Sequence, residues 1–373
     1  MKKVKVLFFI YQMGGGGAAR TLLNIMNNLD RSKFKPVLVT LNFNGAYESE
    51  LKPDVTFIKL NSKRLRGAVF PLAKIIRDEK ADIVFSTIPN VNTIAIISRL
   101  LSFTGAKNII READNLGGTF RTNLKLRCFG IIYRLSHQII SLSEGVKENL
   151  ITRYGIPSEN VKVIYNPVDL QDIEDKVKHG EIAPEHRKLF NTEDKVIITA
   201  GRLVEQKDHR TLLNAFAKVS RHINSRLIVL GEGPLKEELL QQAAALNIGD
   251  RVHFVGFQKN PYVYFKQADL FVLSSKHEGF SHVITEALAT GTPVVSTDCP
   301  SGPSEVLNNG EYGRLCEVGN AEEMAEQMLE VLTSNKNELL STVIHKGNKR
   351  ARDFDAKTIV RQYETVFLKT LSR

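Results

Sequence analysis

Short, nearly continuous runs of Val, Ile, Leu and Phe recur along the chain, with stretches of helical spacing between them. Runs that are apolar on both faces are typical of parallel β-strands covered by helices on each side of the sheet. The pattern predicts strands over residues 4–10, 36–41, 82–87, 108–112, 138–143 and 161–165, and then over 195–201, 226–233, 251–257, 269–275 and 293–298.

A polar stretch without a strong apolar period, residues 166–194, separates the two series of strands. Two series of βα units joined by one linker predict an α/β protein with two doubly wound, Rossmann-like domains and a cleft between them. We place these domains at residues 1–170 and 171–354. The chain ends in a predicted helix, 355–373, whose apolar residues share one face, and the pattern leaves open which domain it packs on.

Composition narrows the class of protein. No apolar run reaches the length of about 18–20 residues that spans a bilayer. The N-terminus has the basic start of a signal peptide, but its apolar run is short and no small-residue cleavage site follows, so a first strand is favoured. The cysteines Cys128, Cys299 and Cys316 have no metal-ligand spacing and fit reduced thiols, which predicts a cytoplasmic protein.

The positive charge is concentrated in the first half of the chain. Residues 1–170 carry 25 Lys and Arg against 13 Asp and Glu, whereas residues 171–373 carry 26 against 28. This asymmetry predicts an anionic partner for the first half, such as nucleic acid, an anionic membrane surface or a phosphorylated substrate. A basic, solvated face without a partner is the alternative.

Ligands of open α/β sheets bind where strand ends meet helix N-termini. Two loops that follow predicted strands lie at such points and have the composition of anion-binding sites. The first, "QMGGGGAART", is glycine-rich but lacks the Lys-Ser/Thr pair of a Walker loop, and a tight turn is the alternative. The second, "AGRLVEQKD", carries Arg202 and Lys207, a planar fork and a mobile ammonium that together suit a diphosphate. Such pairs are also common on solvated surfaces.

Two further loops carry glycines and carboxylates. In "LGEGPLKEEL", Gly231 and Gly233 form a side-chain-free edge that either accepts a flat ring or is only a capped turn. In "KHEGFSHVITEALATG", Ser281 is the predicted N-cap of a helix that a glycine ends. Glu278 then precedes the helix and Glu286 lies within it, so both can face one ligand, although such glutamates are often solvent-facing.

Together and in this order, these segments resemble the retaining family 4 glycosyltransferases (GT4) of the GT-B fold, over essentially the whole chain. The "EGFSHVITE" segment matches the family's E-x7-E motif, and "GRLVEQKD" and "GEGP" follow its order. The "GGGGAAR" loop is similar to the family's Gly-Gly-Ala-Glu-Arg, with Ala19 where Glu is usual. The loop "DCPSGPSEVL" resembles one in relatives that build bacterial surface polysaccharides.

The resemblance implies a role for each residue of the site. Arg202 and Lys207 would hold the donor diphosphate, Glu286 the ribose hydroxyls and Glu278 the donor sugar; Glu278, Arg202 and Lys207 form the implied catalytic set. The other implied donor contacts are Gly16 and Gly17 of the first loop, the amides of Gly279, Phe280 and Ser281, and the turns that contain Gly231, Gly233 and Phe257.

One position departs from the family. Ala113 stands where many relatives have a His that contacts the donor sugar, within "IIREADN". Glu112, Asp114 and Asn115 are the neighbouring polar residues, and we assign them to the acceptor side of the site. Glu112 is alternatively a structural carboxylate near Arg111.

The implied activity is retaining transfer of a hexose or N-acetylhexosamine from a nucleotide diphosphate donor, a UDP-sugar, to a hydroxyl of a lipid-linked or polysaccharide acceptor. The resemblance implies neither a metal nor a cofactor beyond this co-substrate. It also implies an acceptor-binding first domain, a nucleotide-sugar-binding second domain and a terminal helix that crosses back to the first. The alternatives are a nucleotide-sugar 2-epimerase of the same fold and a non-enzymatic protein that binds nucleic acid or an anionic surface.

Two basic stretches of the first half also carry apolar residues, namely 61–77 and 120–134. Each has the composition of a helix that lies on an anionic leaflet, although a core helix with a basic outer face is an equal alternative. Because a lipid-diphosphate acceptor would use the same positive charge, we expect peripheral association with the inner face of the cell membrane and no nucleic-acid partner.

Overall fold

The computed structural model describes residues 3–14, 16–334 and 339–372. The chain divides into two compact units, Met1–Pro167 with Ala356–Arg373, and Val168–Asp355. Each unit is a parallel β-sheet with helices connecting its strands. The linking helices cover the apolar strands, which is why these strands read as continuous apolar runs rather than alternating ones.

The first unit contains a seven-stranded parallel sheet. Its strands are β1 (Val4–Phe9), β2 (Phe34–Thr40), β3 (Thr56–Lys59), β4 (Ile83–Thr87), β5 (Lys107–Glu112), β6 (Gln138–Ser141) and β7 (Val161–Val163). Its helices are α1 (Gly17–Asn28), α2 (Val69–Asp78), α3 (Pro89–Leu101), α4 (Phe120–Tyr133) and α5 (Glu144–Asn149). The strand order is β3-β2-β1-β4-β5-β6-β7, so the direction of winding reverses between β1 and β4.

The second unit contains a six-stranded parallel sheet. Its strands are β8 (Lys195–Ala200), β9 (Ser225–Leu230), β10 (Val252–Gly256), β11 (Leu270–Leu273), β12 (Val294–Thr297) and β13 (Arg314–Cys316). Its helices are α6 (Leu170–His179), α7 (His209–His222), α8 (Lys236–Ala245), α9 (Tyr262–Gln267), α10 (His282–Thr290), α11 (Pro303–Val306), α12 (Ala321–Thr333) and α13 (Leu339–Arg352). The strand order is β10-β9-β8-β11-β12-β13, and the winding reverses between β8 and β11.

Every strand predicted from the apolar runs is present, and two strands were missed. The missed strands, β3 and β13, are only four and three residues long, and both lie at a sheet edge. The stretch 166–194, predicted to be a linker, also contains a helix that was not predicted, α6. Asp169 caps this helix by accepting a hydrogen bond from the amide of Asp172 at 3.1 Å, and only Ile173 of the helix is buried, so its apolar period is too weak to see.

The terminal helix, α14 (Ala356–Leu371), belongs to the first unit, as the family resemblance implies. Its buried face carries Ile359, Tyr363, Val366 and Phe367, which join the core on one side of the first sheet, as the shared apolar face of the predicted helix indicates. The Phe367 ring lies 5.8 Å from the ring of Phe85 in an edge-to-face arrangement. The last segment of the chain therefore completes the core that its first strand begins.

Within the described residues, no helix combines the length and the apolar character that crossing a membrane requires.

Candidate active site

The candidate site of the second unit lies at the carboxyl ends of β8 and β11, which are neighbours at the reversal point of the sheet. Ligands of open α/β sheets bind at such points, since the two loops leave the sheet in opposite directions. The loop after β8 and the loop after β11 are joined by hydrogen bonds. The amide of Lys276 donates to the carbonyl of Gln206 at 2.8 Å, and the Ser274 hydroxyl donates to the carbonyl of Lys207 at 2.8 Å.

Lys207 and Glu278, which are distant in sequence, form an ion pair at this point. The Lys207 ammonium donates to Glu278 Oε1 at 2.5 Å, and the Ser275 hydroxyl donates to the same oxygen at 2.6 Å. Both charged side chains are largely withdrawn from solvent. The structure therefore brings together two of the three residues that the sequence nominated for catalysis, with their charges compensated.

Arg202, the third nominated residue, is exposed on the loop after β8. Its guanidinium makes no hydrogen bond or ion pair with any residue in the described ranges. Since a guanidinium offers a rigid fork of donors, it is a free anion-binding group beside the paired Lys207. The loop after β8 thus carries one cation that is paired with a carboxylate, Lys207, and one that is not, Arg202.

Glu286 lies in the second turn of α10 and is 6% exposed, while Glu278 is 7% exposed. Neither carboxylate of the E-x7-E segment is solvent-facing, so the alternative of a solvated helix face is excluded for both. The Tyr262 hydroxyl donates to Glu286 Oε1 at 3.3 Å. Sequence reasoning missed Tyr262, because the aromatic residues of "NPYVYF" are equally consistent with a core helix.

The turn between the two glutamates has an unusual backbone. Ser281 is at the N-cap position of α10, as predicted, but with φ 69° and ψ 69°, and its side chain makes no capping bond. The left-handed region is costly for a residue with a Cβ and is enriched at functional sites. The Ser281 hydroxyl and the Thr285 hydroxyl of the same helix are buried without a partner among the described residues. A ligand with polar groups can satisfy both.

The loop that follows β12 supports this turn from behind. Gly302 has φ 92°, and a Cβ there would lie 2.8 Å from the Phe280 backbone. The amide of Glu278 approaches the carbonyl of Pro300 at 3.4 Å, and the Phe280 ring packs edge-to-face on Phe354. Only glycine permits such close backbone contact at this position. Gly279 is buried in the same turn.

Gly231 and Gly233 serve the packing of the loop that carries Arg202. A Cβ on Gly231 would lie 2.0 Å from the Gly201 carbonyl oxygen, and one on Gly233 would lie 2.4 Å from that of Leu203. A capped turn alone does not explain these glycines, because both allow the chain after β9 to contact the chain after β8 closely. Phe257, at the end of β10, remains 43% exposed, which leaves its ring accessible.

In the first unit, the glycine-rich loop leads into α1. Gly16 is the N-cap residue of this helix, and both Gly16 and Gly17 are exposed; Gly15 lies outside the described residues. Gly16 has φ −97°, and a Cβ there would meet no atom within 4 Å. Neither backbone conformation nor packing within the described part of the unit demands glycine at 16.

Glu112 ends β5 and is fully buried. It accepts hydrogen bonds from the Tyr133 hydroxyl at 2.7 Å and from the amide of Ala113 at 3.1 Å. Burial raises its pKa to about 7, against the lowering effect of these bonds. The Arg111 side chain points elsewhere, to the Thr87 hydroxyl at 2.9 Å. Glu112 is therefore bonded to Tyr133 rather than to Arg111.

Asp114 and Asn115, the other residues assigned to the acceptor side, are half-buried in the segment after β5. The Asn115 side-chain oxygen accepts a hydrogen bond from the Asn149 amide at 2.6 Å, which ties this segment to the end of α5. Both residues retain exposed surface beside Ala113, whereas Glu112 retains none.

Two parallel sheets wound in this way, the second with the Lys207–Glu278 pair at its reversal point, are typical of the GT-B class of enzymes. Residues 182–350 match the family described as Glycosyl transferases group 1, and residues 15–172 match Glycosyltransferase Family 4. The chain belongs to these glycosyltransferases, which confirms the resemblance seen in the sequence. Neither the epimerase nor the nucleic-acid alternative is supported by this membership.

One relative extends over nearly the whole chain. It is the N-acetylgalactosamine-N,N'-diacetylbacillosaminyl-diphospho-undecaprenol 4-alpha-N-acetylgalactosaminyltransferase of Campylobacter jejuni, which is 30% identical over 96% of this chain and 97% of its own length. The lipopolysaccharide 1,6-galactosyltransferase of Escherichia coli is also 30% identical, over 48% of each chain.

Solved structures confirm the fold. Anabaena HepE in complex with UDP-glucose has a TM-score of 0.83 and 22% identity, and the match covers 99% of both chains. A glycosyltransferase from Rickettsia africae has a TM-score of 0.82 and 18% identity, covering 100% of this chain and 99% of its own.

Proposed function

We propose that this protein is a retaining glycosyltransferase that moves a hexose or N-acetylhexosamine from a UDP-sugar to a hydroxyl of a lipid-linked or polysaccharide acceptor of bacterial surface glycan. The observation that carries the proposal is the Lys207–Glu278 pair beside the free Arg202, at the reversal point of the second sheet. In a member of a glycosyltransferase family, this arrangement fits a sugar diphosphate.

The donor diphosphate fits the cations after β8. The Arg202 guanidinium can donate two hydrogen bonds to one phosphate, and the Lys207 ammonium contributes a second positive charge. The bond from the anomeric carbon to the diphosphate oxygen breaks and leaves negative charge on that oxygen. Lys207, held in place by Glu278, and Arg202 stabilise this charge by about several kcal/mol, the order known for such groups.

The sugar and the ribose fit the segment from Glu278 to Glu286. Glu278 is held by Ser275 and Lys207 at the sugar end, and the buried Glu286 lies within hydrogen-bond reach of Tyr262 at the ribose end. The unpartnered hydroxyls of Ser281 and Thr285 lie between them in sequence and supply further polar contacts. Gly279 and Phe280 complete the turn, and Gly231, Gly233 and Phe257 flank the base.

Retention of configuration follows if the acceptor attacks on the face that the diphosphate leaves. The acceptor oxygen forms the new bond to the anomeric carbon, and its proton passes to the departing phosphate oxygen. No protein base is then required, which suits a site in which the Glu278 carboxylate is paired with Lys207. Gly16 and Gly17 contact the donor, and Asp114 and Asn115, with Glu112 behind them, form the acceptor side of the first unit.

The first unit binds the acceptor at the inner face of the cell membrane, where the protein is peripherally associated. Its excess of positive charge supports this assignment, and so does the lipid-linked substrate named for the Campylobacter jejuni relative. The second unit, Val168–Asp355, binds the nucleotide-sugar.

The test is transfer from UDP-N-acetylgalactosamine, UDP-N-acetylglucosamine, UDP-glucose and UDP-galactose to a lipid-extract acceptor, in EDTA, with the anomeric configuration of the product read by NMR. An α-linked product from one of these α-configured donors supports the proposal. A β-linked product overturns retention, and the absence of both transfer and UDP binding overturns the proposed function.

A further inference from the structure

Large apolar side chains are exposed on one helix of the first unit. In α4, Phe120 is 83% exposed, Leu124 57% and Ile131 68%, and Leu135 in the following turn is 54% exposed. At 3.6 residues per turn, Phe120, Leu124 and Ile131 fall within about 40° of one another around the helix axis. With Leu135 they define one exposed apolar side of the helix, which we name the α4 strip: Phe120, Leu124, Ile131 and Leu135.

The opposite face of α4 packs against the rest of the first unit. Leu126, Gly130 and Tyr133 are buried, and a Cβ on Gly130 would lie 1.9 Å from the carbonyl oxygen of Tyr154. The helix thus carries apolar residues on two opposite faces, and only one of them has a partner in the described structure. Folding therefore does not account for the α4 strip.

Basic residues flank the α4 strip on both sides. By helical geometry, Arg121 and Lys125 lie on one side and Arg127 on the other, and Arg134 follows at the end of the helix. Arg127 and Arg134 donate to the backbone carbonyls of Thr152 and Gly155. None of these four cations is paired with a carboxylate in the described ranges.

The sequence around α4 contains no acidic residue. No Asp or Glu stands between Asp114 and Glu144. A protein partner's surface normally mixes both signs of charge, whereas an anionic bilayer presents one sign and an apolar interior. An apolar strip between two rows of uncompensated cations is complementary to such a bilayer.

We infer that α4 is the membrane-docking surface of this protein, lying flat on an anionic leaflet with the α4 strip inserted among the acyl chains. This inference rests on the membrane association in the proposed function and specifies its surface. Because α4 follows β5, its first turn lies at the carboxyl edge of the sheet, where Ala113, Asp114 and Asn115 lie. A lipid-linked acceptor would thus reach the first unit beside its docking helix.

The other basic stretch, residues 61–77, does not share these properties. Helix α2 buries Leu72, Ala73 and Ile76, and Lys74 on its outer face is paired with Asp78 at 2.5 Å. Phe70 is the single large apolar side chain that it exposes. For this stretch the structure favours a core helix with a basic outer face.

The experiment is vesicle co-sedimentation of the full chain at several salt concentrations, with phosphatidylglycerol–phosphatidylcholine vesicles and with pure phosphatidylcholine. We expect binding to the anionic vesicles, and about a tenfold or greater loss of partitioning in the double variant Leu124→Ser/Ile131→Ser. Leu240→Ser, which alters an exposed leucine of the second unit, is the matched control. Lys125→Glu should weaken binding in a salt-dependent manner, and Lys236→Glu should not.

A second readout follows insertion directly. Cys128 is exposed on α4, whereas Cys299 and Cys316 are buried, so an environment-sensitive fluorophore can be attached to Cys128. Its emission should shift to the blue with anionic vesicles. UDP-induced thermal stabilisation should be the same in all variants, which separates this test from that of the donor site.

Three outcomes overturn the inference. Equal binding of wild type and the double variant would assign membrane association to another surface. No binding of wild type to anionic vesicles would remove membrane association as well, while UDP stabilisation would still support the transferase. Concentration-dependent self-association that the double variant abolishes, without vesicle binding, would identify the α4 strip as a protein interface.

Discussion

At the scale of single residues, the central feature is that Lys207, to which we assign the donor diphosphate, forms an ion pair with Glu278. Lys207 lies 2.5 Å from Glu278, and Ser275 holds that same carboxylate oxygen. On this assignment, a bound diphosphate would share the ammonium with Glu278. The carboxylate would then both orient Lys207 and weaken nucleotide binding.

This competition predicts opposite effects of one substitution. Glu278→Gln should bind UDP several-fold more tightly, because one negative charge near the diphosphate is removed. Its transfer rate should fall about tenfold or more, since the donor sugar and Lys207 both lose a charged partner. Isothermal titration with UDP and initial-rate measurements check the two effects.

Glu205→Gln is the matched control for this experiment. Glu205 lies in the same loop as Lys207 but pairs with Arg210, so its loss should leave both UDP affinity and transfer unchanged. A Glu278→Gln variant with weaker UDP binding and unaltered transfer would contradict the competition.

At the scale of elements, Glu112 and Tyr133 connect β5 to α4. Tyr133 lies on the buried face of α4, and its hydroxyl is bonded both to Glu112 and to the amide of Asn92 from α3. The helix that carries the α4 strip is thus fixed to the strand end beside Ala113.

Glu112 also predicts a pH dependence of stability. Its pKa is about 7 in the folded protein, against 4.5 for the exposed carboxyl of the unfolded chain. Between these values the folded state holds the extra proton, so the free energy of unfolding decreases as pH rises from 4.5 to about 7. The full difference is on the order of 3 kcal/mol, which Glu112→Gln should remove.

Urea unfolding at pH 5 and pH 7.5 measures this effect. The wild type should lose more stability than Glu112→Gln over that interval, while Glu144→Gln, an exposed carboxylate of α5, should follow the wild type. An identical pH dependence in wild type and Glu112→Gln would show that Glu112 does not hold the proton.

At the scale of the whole molecule, the first unit depends on the last helix of the chain. Phe367 of α14 is fully buried and lies within 5.8–6.4 Å of the rings of Phe8, Phe34 and Phe85. Residues from both ends of the sequence therefore share one core. The core of the first unit is therefore complete only with α14 in place.

Truncating Phe367 should accordingly destabilise the unit to which the N-terminus belongs. We expect Phe367→Ala to reduce the free energy of unfolding by about 3–5 kcal/mol, because it opens a cavity in an aromatic cluster. Leu368→Ala, which alters the exposed neighbour on the same helix, should cost little. Equal effects of the two substitutions in urea unfolding would contradict the packing of α14.

The sequence was sufficient where a pattern has one physical cause. Continuous apolar runs predicted the strands. Lys207 and Glu278, which the family resemblance nominated, lie together because the ends of neighbouring parallel strands converge. Helix α6 and the short edge strands were missed because too few of their residues are buried to produce a period.

The sequence could not show which face of a helix, or which glycine, is packed within the folded unit. Leu124 and Leu126 have the same apolar character, yet one is exposed and the other is buried, so α4 could not be distinguished from a core helix. Gly231 and Gly16 likewise appear alike, but only Gly231 is required by contact within its own unit. The partner of Glu112 was also hidden, because Tyr133 is on another element.

The most direct test of the account is the affinity of UDP for the full chain, measured by isothermal titration in EDTA, for wild type and Glu286→Ala. We predict metal-independent binding by the wild type and at least about a tenfold weaker affinity in the variant, since a charged acceptor for the ribose hydroxyls is lost. Thermal unfolding of the variant without UDP serves as the control for folding. Absence of UDP binding by the wild type, or equal affinities in a folded variant, would contradict the assignment of this site.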